Sequence, residues 1–281
     1  MILIADSGST KTQWVLINAP APTEPFCTEG LNPLLCGEAT ILKACSEVMR
    51  HFGLSHSCQK LFFYGAGCGT KEAQQQMVSL LATSFIDTEI HVAGDLLGAC
   101  RALYGTGKGL VGILGTGSNA CYYDGNEVAK QLPSLGYLLG DEGSGNHIGR
   151  RLLKDFLTKR MPEALSQEFL QHYAVDYEQV IDALYRRPNA NRFLASFAPF
   201  AAQHSTNTYI KNTVQHCFAD YIEEQILPLS HLSHELRLVG SIAEVFGDTL
   251  AATARQHGIT VSHIIKEPVL PLAKYHQSCE L

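Results

Sequence analysis

The strongest constraint on the fold is a pattern that occurs twice, once at the start of the chain and once near its middle. The first copy is the apolar run Ile2–Ala5, a turn of small polar residues, and the apolar run Gln13–Ile17. The second copy is Leu110–Leu114, the turn Gly115–Asn119 and the run Ala120–Tyr123. Each copy predicts two β-strands joined by a polar turn. This architectural repeat favours two α/β domains with a cleft between them.

The remaining segments alternate between strand and helix patterns. Strands are predicted at 60–64, 89–93, 236–239 and 259–265, and helices at 41–52, 71–85, 96–104, 145–159 and 241–257. Residues 162–230 are mostly helical by pattern. The glycine-rich segment Gly105–Gly109 is the best internal break. We therefore predict an N-terminal domain of residues 1–107, completed by the C-terminal segment 263–281, and a C-terminal domain of residues 108–262.

Composition excludes several classes of protein. The 281 residues are 46% hydrophobic and 17% charged, which argues against disorder. The net charge of −6 argues against general nucleic-acid binding. No apolar run approaches the ~18 residues of a membrane helix, and the N-terminus does not have the pattern of a signal peptide. The nine cysteines form no C-x-x-C pair and the twelve histidines are dispersed, so we expect reduced thiols, no structural metal site and a cytoplasmic protein.

The two polar turns carry residue types that suit a phosphate group. Glycine lets the backbone approach an anion and exposes N–H groups to it. The first turn, Asp6–Thr12, adds hydroxyls, a cation and a carboxylate. The Walker phosphate-loop pattern is absent. Gly115, Gly117 and Ala120 match the dinucleotide fingerprint by spacing, but a strand follows them where that fingerprint requires a helix.

Two groups of carboxylates stand at predicted helix starts. Asp95 follows a predicted strand and opens a helix, where it is either a helix cap or a general base that accepts a proton in phosphoryl transfer. Asp141 and Glu142 lie in Gly140–Ser144, directly before another helix. The same two interpretations, cap or functional carboxylate, stay open for them.

In this combination of motifs the chain resembles the N-acetylglucosamine kinase and BadF/BadG/BcrA/BcrD ATPase family, within the actin, Hsp70 and hexokinase superfamily. Its most specific motifs are Gly140–Ser144 and Gly115–Asn119. Asp6–Thr12 is similar to the family's first phosphate loop, and Val239–Ala243 to its adenosine segment, in which Ser241 replaces a second glycine. The resemblance implies an α/β fold of two ribonuclease H-like (actin-like ATPase) domains with an interdomain cleft.

The resemblance also implies a role for each matching position. Asp95 would be the catalytic base that takes the proton from a sugar 6-hydroxyl, and Asp6 would act near Mg²⁺ through water. The ATP phosphates would be approached by Ser9, Thr10 and Lys11 from one side and by Thr116, Gly117 and Ser118 from the other. The adenosine would contact Gly240 and Ser241. The sugar would contact Asn32, Gly136 and Asp141.

The predicted activity is that of an ATP-dependent kinase of the 6-hydroxyl of an amino sugar, with N-acetylglucosamine as the first choice. Leu135 stands where related sugar kinases often carry a Trp, so glucosamine stays open as an alternative. An iron–sulfur activator of dehydratases would need a cysteine segment after the second phosphate loop, where Cys121 stands alone. A nucleotide sensor would have no need for Asp95. The expected partner is a small-molecule sugar, and the family often forms homodimers.

Overall fold

The computed structural model describes residues 1–18, 21–55 and 58–280 of the chain. The chain divides into two compact units. Unit 1 contains Met1–Val111, Tyr123–Ala129 and Glu267–Leu281, and unit 2 contains Gly112–Tyr122 and Lys130–Lys266. The predicted domain boundaries, after residue 107 and before residue 263, lie close to these limits. The assignment of these segments as domains stays a prediction.

Eleven strands are numbered here in chain order over the described residues. They are β1 (Ile2–Ser7), β2 (Lys11–Asn18), β3 (Ala21–Pro22), β4 (Phe26–Glu29), β5 (Lys60–Gly65), β6 (Glu89–Gly94), β7 (Gly109–Leu114), β8 (Ser118–Tyr123), β9 (Val128–Gln131), β10 (Glu235–Val239) and β11 (Thr260–Ile265). Both predicted hairpins and the four other predicted strands are confirmed.

Thirteen α-helices lie in the same described ranges. They are α1 (Glu38–Phe52), α2 (Lys71–Ala82), α3 (Asp95–Tyr104), α4 (Gly136–Leu139), α5 (Gly145–Leu157), α6 (Glu163–Tyr173), α7 (Tyr177–Tyr185), α8 (Ala190–Ala195), α9 (Ala198–Gln203), α10 (Thr208–Tyr221), α11 (Ser241–Val245), α12 (Gly247–Gln256) and α13 (Val269–Glu280). A π-helical turn, Ile222–Ile226, and a short 3₁₀ turn, Leu227–Leu229, follow α10.

The structure corrects several helix predictions: the predicted helix 71–85 ends at Ala82 and the predicted helix 145–159 ends at Leu157. The first helix begins at Glu38, three residues before the predicted start, because Gly37 in extended conformation precedes it. The predicted helix 241–257 is two helices, because Phe246 leaves the helical conformation with φ −110° and ψ 24° between them.

The two sheets share one strand order. The first runs β3-β2-β1-β5-β6, with β4 also paired to β2, and the second runs β9-β8-β7-β10-β11. In both, the first strand is central, the next two lie on one side of it and the last two on the other. The repeat that the sequence showed as two hairpins is therefore a repeat of whole-sheet topology.

The first sheet is buried on both faces. Leu3 and Ala5 of β1 pack into a cluster with residues of α1 and α2. The alternate residues Ile2 and Ile4 pack into a second cluster that includes Leu272 of α13. Because side chains alternate across a strand, the continuous apolar run of β1 supplies both clusters.

Helix α13 is held on unit 1 by a buried polar contact as well as by apolar packing. The Tyr64 hydroxyl lies 2.8 Å from Nε2 of His276, and the Arg101 guanidinium of α3 donates to the same hydroxyl. Gly98 of α3 allows the close approach, since a Cβ there would lie 2.9 Å from the Tyr64 side chain. The helix that begins with Asp95 is thereby tied to β5 and α13.

Helices dominate the middle of unit 2, as predicted for 162–230. Phe169, Phe197 and Phe200 form its aromatic core and are almost completely buried. Helices α5 and α8 cross closely at Gly149, where a Cβ would lie 1.8 Å from the carbonyl oxygen of Leu194. This crossing fixes α5, whose first residues support the second polar turn.

All nine cysteines are free thiols. Six of them are buried and pack as small apolar residues: Cys45, Cys58, Cys68, Cys100, Cys121 and Cys217. Within the part of the chain that the structure describes, no helix combines the length and the apolar composition needed to cross a membrane.

Candidate functional site

Two carboxylates meet at one edge of the first sheet. Strands β1, β5 and β6 are parallel neighbours, so their carboxyl ends reach the same edge. Asp6 is near the end of β1, and Asp95 begins α3 directly after β6. The two side chains are close enough that the charge of Asp95 raises the pKa of Asp6. We call this pair the carboxylate site.

Both carboxyls are more basic than an ordinary Asp. Burial, followed by the charge of Asp95, raises the pKa of Asp6 to about 7, and Lys11 opposes this rise. Burial raises the pKa of Asp95 to about 6. The Leu96 N–H, which donates to Oδ1 of Asp95 at 2.9 Å, limits that rise. Asp95 is therefore mostly ionised at neutral pH and still basic enough to accept a proton, whereas Asp6 is about half protonated there.

Asp95 is not the N-cap residue of α3. Gly94 occupies the cap position of α3 and makes no side-chain cap bond, and Asp95 is the first helical residue. A carboxylate there is stabilised by the positive end of the helix dipole.

The first polar turn joins β1 to β2 beside this pair. The Gly8 N–H donates to the carbonyl oxygen of Lys11 at 3.0 Å and closes the turn. Neither the backbone N–H nor the hydroxyl of Ser9 meets an acceptor among the described residues. Thr10 is exposed at the tip. Donors presented in this way at a glycine turn suit an anion.

Lys11 is paired with a residue that the sequence did not suggest. Its ammonium forms an ion pair with Glu267, and the second oxygen of Glu267 accepts from Nε2 of Gln13 at 2.8 Å. Both carboxylate oxygens of Glu267 are thus engaged by side chains of β2, and Glu267 links Lys11 to Gln13. Nothing in the sequence near residue 267 links it to the first turn.

Asn32 presents its amide nitrogen. Its Oδ1 accepts from the Leu34 N–H at 2.9 Å, so Nδ2 is the group left to donate. No acceptor for Nδ2 lies among the described residues. Gly67, with φ +83°, is needed beside it, because a Cβ there would lie 2.1 Å from Oδ1 of Asn32. An amide donor fixed in this way suits a hydroxyl or carbonyl oxygen of a ligand.

Two buried hydroxyls hold the backbone before Asn32 at the carboxyl end of β1. The side-chain oxygens of Ser7 and Thr12 lie 2.7 Å apart and are fully buried. The Leu31 N–H donates to Ser7 Oγ at 2.9 Å and to Thr12 Oγ1 at 3.2 Å. The sequence placed both residues in the phosphate turn, but in the structure they point inward and support the backbone before Asn32.

The second polar turn, in unit 2, joins β7 to β8 and rests on the start of α5. The Gly145 N–H donates to the Gly115 carbonyl oxygen at 2.8 Å, and the Asn146 N–H to that of Thr116 at 3.0 Å. The first N–H groups of α5 are therefore used to hold the turn. The Gly117 N–H has no acceptor among the described residues.

Asp141 lies against this turn. Its Oδ1 accepts from the Ser118 N–H at 3.1 Å, and its Oδ2 accepts from Nδ2 of Asn146 at 2.7 Å. Burial raises its pKa. A Cβ at Gly117 would lie 2.9 Å from both carboxylate oxygens, so only glycine fits there. The structure shows Asp141 ordering the turn, and its predicted contact with the sugar stays a prediction.

Three further residues of unit 2 were predicted to contact a ligand, and Gly240 is the one that lies against the second polar turn. Gly240 has φ +124°, and a Cβ there would lie 2.2 Å from the Leu114 carbonyl oxygen, which places it against the end of β7. Ser241 is exposed at the start of α11. Gly136 begins α4, and its carbonyl oxygen accepts from the Gly140 N–H at 2.8 Å. The roles of these residues toward adenosine and sugar stay predictions.

The carboxylate site has the chemistry that Mg²⁺ prefers. The described residues contain no group of three His, Cys, Asp or Glu side chains that would enclose a metal ion. Mg²⁺ takes oxygen ligands and usually keeps several waters, so one or two carboxylates suffice to hold it next to substrate phosphates. Asp6 and Asp95 fit such a water-rich site.

Comparison with solved structures identifies relatives over the whole chain. A protein of Porphyromonas gingivalis, provisionally named an N-acetylglucosamine kinase, is 38% identical, with 100% of both chains covered and a TM-score of 0.94. A protein of Chromobacterium violaceum, provisionally given the same name, is 18% identical, with 98% and 96% covered and a TM-score of 0.71. A ROK family glucokinase of Streptomyces griseus, solved with glucose and AMPPNP, is 10% identical, with 99% of both chains covered and a TM-score of 0.59.

The relative from Porphyromonas gingivalis is similar enough in sequence to identify the family of this chain. The two others support only the assignment of the fold. No protein-family model and no curated protein matches the sequence. The predicted fold class is confirmed: the chain has the two-domain actin-like ATPase fold. With the identity and full coverage of the first relative, the chain belongs to the N-acetylglucosamine kinase and BadF/BadG/BcrA/BcrD ATPase family.

Proposed function

We propose that the protein is an ATP-dependent sugar kinase that phosphorylates the 6-hydroxyl of an amino sugar, with N-acetylglucosamine as its substrate. The observation that carries this proposal is the carboxylate site, in which Asp95 has a pKa of about 6 beside Asp6. Similarity to sugar kinases, one of them solved with AMPPNP, supports a phosphotransferase that uses ATP. The nine free thiols agree with the reducing cytoplasm that we propose as its location.

Asp95 would act as the general base. It accepts the proton of the sugar 6-hydroxyl while the hydroxyl oxygen bonds to the γ-phosphorus and the bond from that phosphorus to the ADP oxygen breaks. Such a base contributes about 10²–10⁴-fold to the rate. A sensor that only binds nucleotide would have no use for a carboxylate with this pKa, which favours the kinase over the sensor.

The two polar turns would hold the ATP phosphates. Lys11 has three N–H donors, and Glu267 occupies one of them, so two are left for phosphate oxygens. Ser9 and Thr10 add donors from the first turn, and Thr116, Gly117 and Ser118 add donors from the second. Mg²⁺, held through water by Asp6 and next to Asp95, would neutralise charge on the phosphates when bound.

The sugar contacts would come from Asn32, Asp141 and the segment at Gly136. The fixed Nδ2 donor of Asn32 suits a ring hydroxyl or an acetyl carbonyl. Leu135, where a Trp is common in related kinases, is 58% exposed and would leave more space beside the sugar. This difference keeps glucosamine as the alternative acceptor.

An ADP-release assay tests the proposal. Mg-ATP is supplied with N-acetylglucosamine, glucosamine, N-acetylmannosamine, N-acetylmuramate or glucose, and with no sugar as a control. We expect turnover that depends on N-acetylglucosamine. Turnover with glucosamine alone would show that glucosamine, not N-acetylglucosamine, is the substrate. ATP hydrolysis at the same rate with and without every sugar would contradict the proposal that the protein is a sugar kinase.

Asp95→Asn tests the role of the base. We expect the variant to lose at least about 10²-fold in kcat and to keep its affinity for ATP in calorimetry. Asp87→Asn is the matched control, because Asp87 is an exposed carboxylate of the same unit. Unchanged turnover in Asp95→Asn would remove this residue from the mechanism.

A further inference from the structure

Gln225 lies in the π-helical turn Ile222–Ile226 that follows α10. π-helical turns are rare and often occur at functional sites. The turn is fixed to the start of β8 from both ends. Tyr221, which is fully buried, donates its hydroxyl to the Asn119 carbonyl oxygen at 3.2 Å. Four residues later, Gln225 reaches the side chain of Ser118.

The amide of Gln225 makes two contacts with one atom. Its Nε2 donates to Glu142 Oε2 at 2.7 Å and to Ser118 Oγ at 3.0 Å. A carboxylate only accepts hydrogen bonds, so Glu142 fixes the orientation of the amide with its NH₂ group toward Ser118. The polarity of the contact with Ser118 follows: the amide donates and the hydroxyl oxygen accepts.

A hydroxyl has one hydrogen to donate. Because Oγ of Ser118 accepts from Gln225, that hydrogen points elsewhere, and no acceptor for it lies among the described residues. Ser118 also gives its backbone N–H to Asp141, so the hydroxyl is its remaining donor. Glu142, Gln225 and Ser118 thus form a chain that ends in an O–H donor beside the N–H of Gly117.

We propose that Gln225 is a positioning residue that, oriented by Glu142, sets the Ser118 hydroxyl to donate to a phosphate oxygen of the nucleotide. This inference rests on the proposed function, in which the second polar turn binds the ATP phosphates. Gln225 acts through Ser118. The π-helical turn serves this purpose because it brings the amide to both partners while Tyr221 stays buried beneath the turn.

Reversing the polarity of the amide tests the proposal. In Gln225→Glu the new carboxylate accepts the Ser118 hydrogen, and the donor to phosphate is lost. We expect ATP and ADP to bind at least about 10-fold more weakly in calorimetry, the size of one hydrogen bond to a charged group. Binding of adenosine, which has no phosphate, should not change. Glu224→Gln is the matched control, since Glu224 is exposed on the same turn.

A double-mutant cycle separates this role from simple charge repulsion. In a Ser118→Ala background the hydroxyl is absent, so adding Gln225→Glu should weaken ATP binding no further. An equal further loss in that background would overturn the proposal. Gln225→Met, which is similar in size but cannot donate, is the second variant if Gln225→Glu does not fold. It should weaken ATP binding only in the presence of the Ser118 hydroxyl.

The outcome also separates this inference from the proposed function. If the unaltered protein does not bind ATP, the proposed function fails. If it binds ATP and phosphorylates a sugar, but Gln225→Glu and Gln225→Met bind ATP as the Glu224→Gln control does, the inference about Gln225 fails alone. Circular dichroism and melting temperature of each variant establish that it is folded.

Discussion

Replacing Asp6 by Asn should stabilise the protein, and the gain should grow with pH. The pKa of Asp6 is raised from 3.8 to about 7 in the folded protein. Between these two values the folded state holds a proton that the unfolded state has lost, so stability falls as pH rises through that window. An Asn side chain keeps the neutral form at every pH and avoids this cost.

The size of the effect follows from the two pKa values. Relative to a permanently neutral side chain, this carboxyl lowers the free energy of unfolding by about 2 kcal/mol at pH 5.5, where only the unfolded state is ionised, and by about 4 kcal/mol at pH 8. Water that reaches the partly accessible side chain reduces both values. The difference of about 2 kcal/mol corresponds to about 4 °C in melting temperature for a chain of this size.

The effect of Asp6→Asn on stability is measured by thermal unfolding of the metal-free protein at pH 5.5 and pH 8. The control is Glu24→Gln, which removes an exposed carboxylate from the same unit. We expect Asp6→Asn to melt at a higher temperature than the unaltered protein, with the larger gain at pH 8, and to lose kinase activity. A loss of stability at pH 8, or an equal gain at both pH values, would show that burial does not raise the pKa of Asp6.

Two further predictions concern the same edge of the sheet. The kcat/KM for the sugar should fall about tenfold per pH unit below about 6. Burial raises the pKa of Asp95 to about 6, and this residue must be ionised to accept a proton. A flat profile of kcat/KM between pH 5 and pH 7 would exclude Asp95 as the base. Gly67→Ala should raise the KM for the sugar at least about tenfold and leave ATP affinity unchanged, because its Cβ would displace Asn32. Gly69→Ala is the control, since a Cβ there meets nothing within 4 Å, and equal KM values would remove Asn32 from the sugar site.

Residues that act through local conformation were predictable from the sequence. The polar turns could be placed between strands because alternating and continuous apolar runs are local signals. Asp95 could be placed at the end of a strand for the same reason. Gly117 and Gly240 were singled out as glycines of nucleotide-binding turns. The structure supplies the physical reason for both: a Cβ would meet Asp141 at the first and the Leu114 carbonyl at the second.

The partners of these residues were not predictable. Glu267 is 256 residues from Lys11 in the chain, and Gln225 is 107 residues from Ser118. Neither stands in a motif, and a single Glu or Gln in a polar sequence is usually a solvated side chain. Sequence reasoning also treated Ser7 and Thr12 as part of the phosphate turn, where the structure turns both inward.

The two hairpins, the chemistry of their turns and the family to which they point can be read from the amino-acid sequence, because strand alternation and turn composition act over a few residues. The burial of those polar groups and their hydrogen-bond partners depend on the tertiary structure. It buries Asp6 and Asp95 together and so raises both pKa values. Packing between distant segments determines how far these carboxyls are desolvated and which groups donate or accept hydrogen bonds. Neither can be predicted from a local pattern of residues.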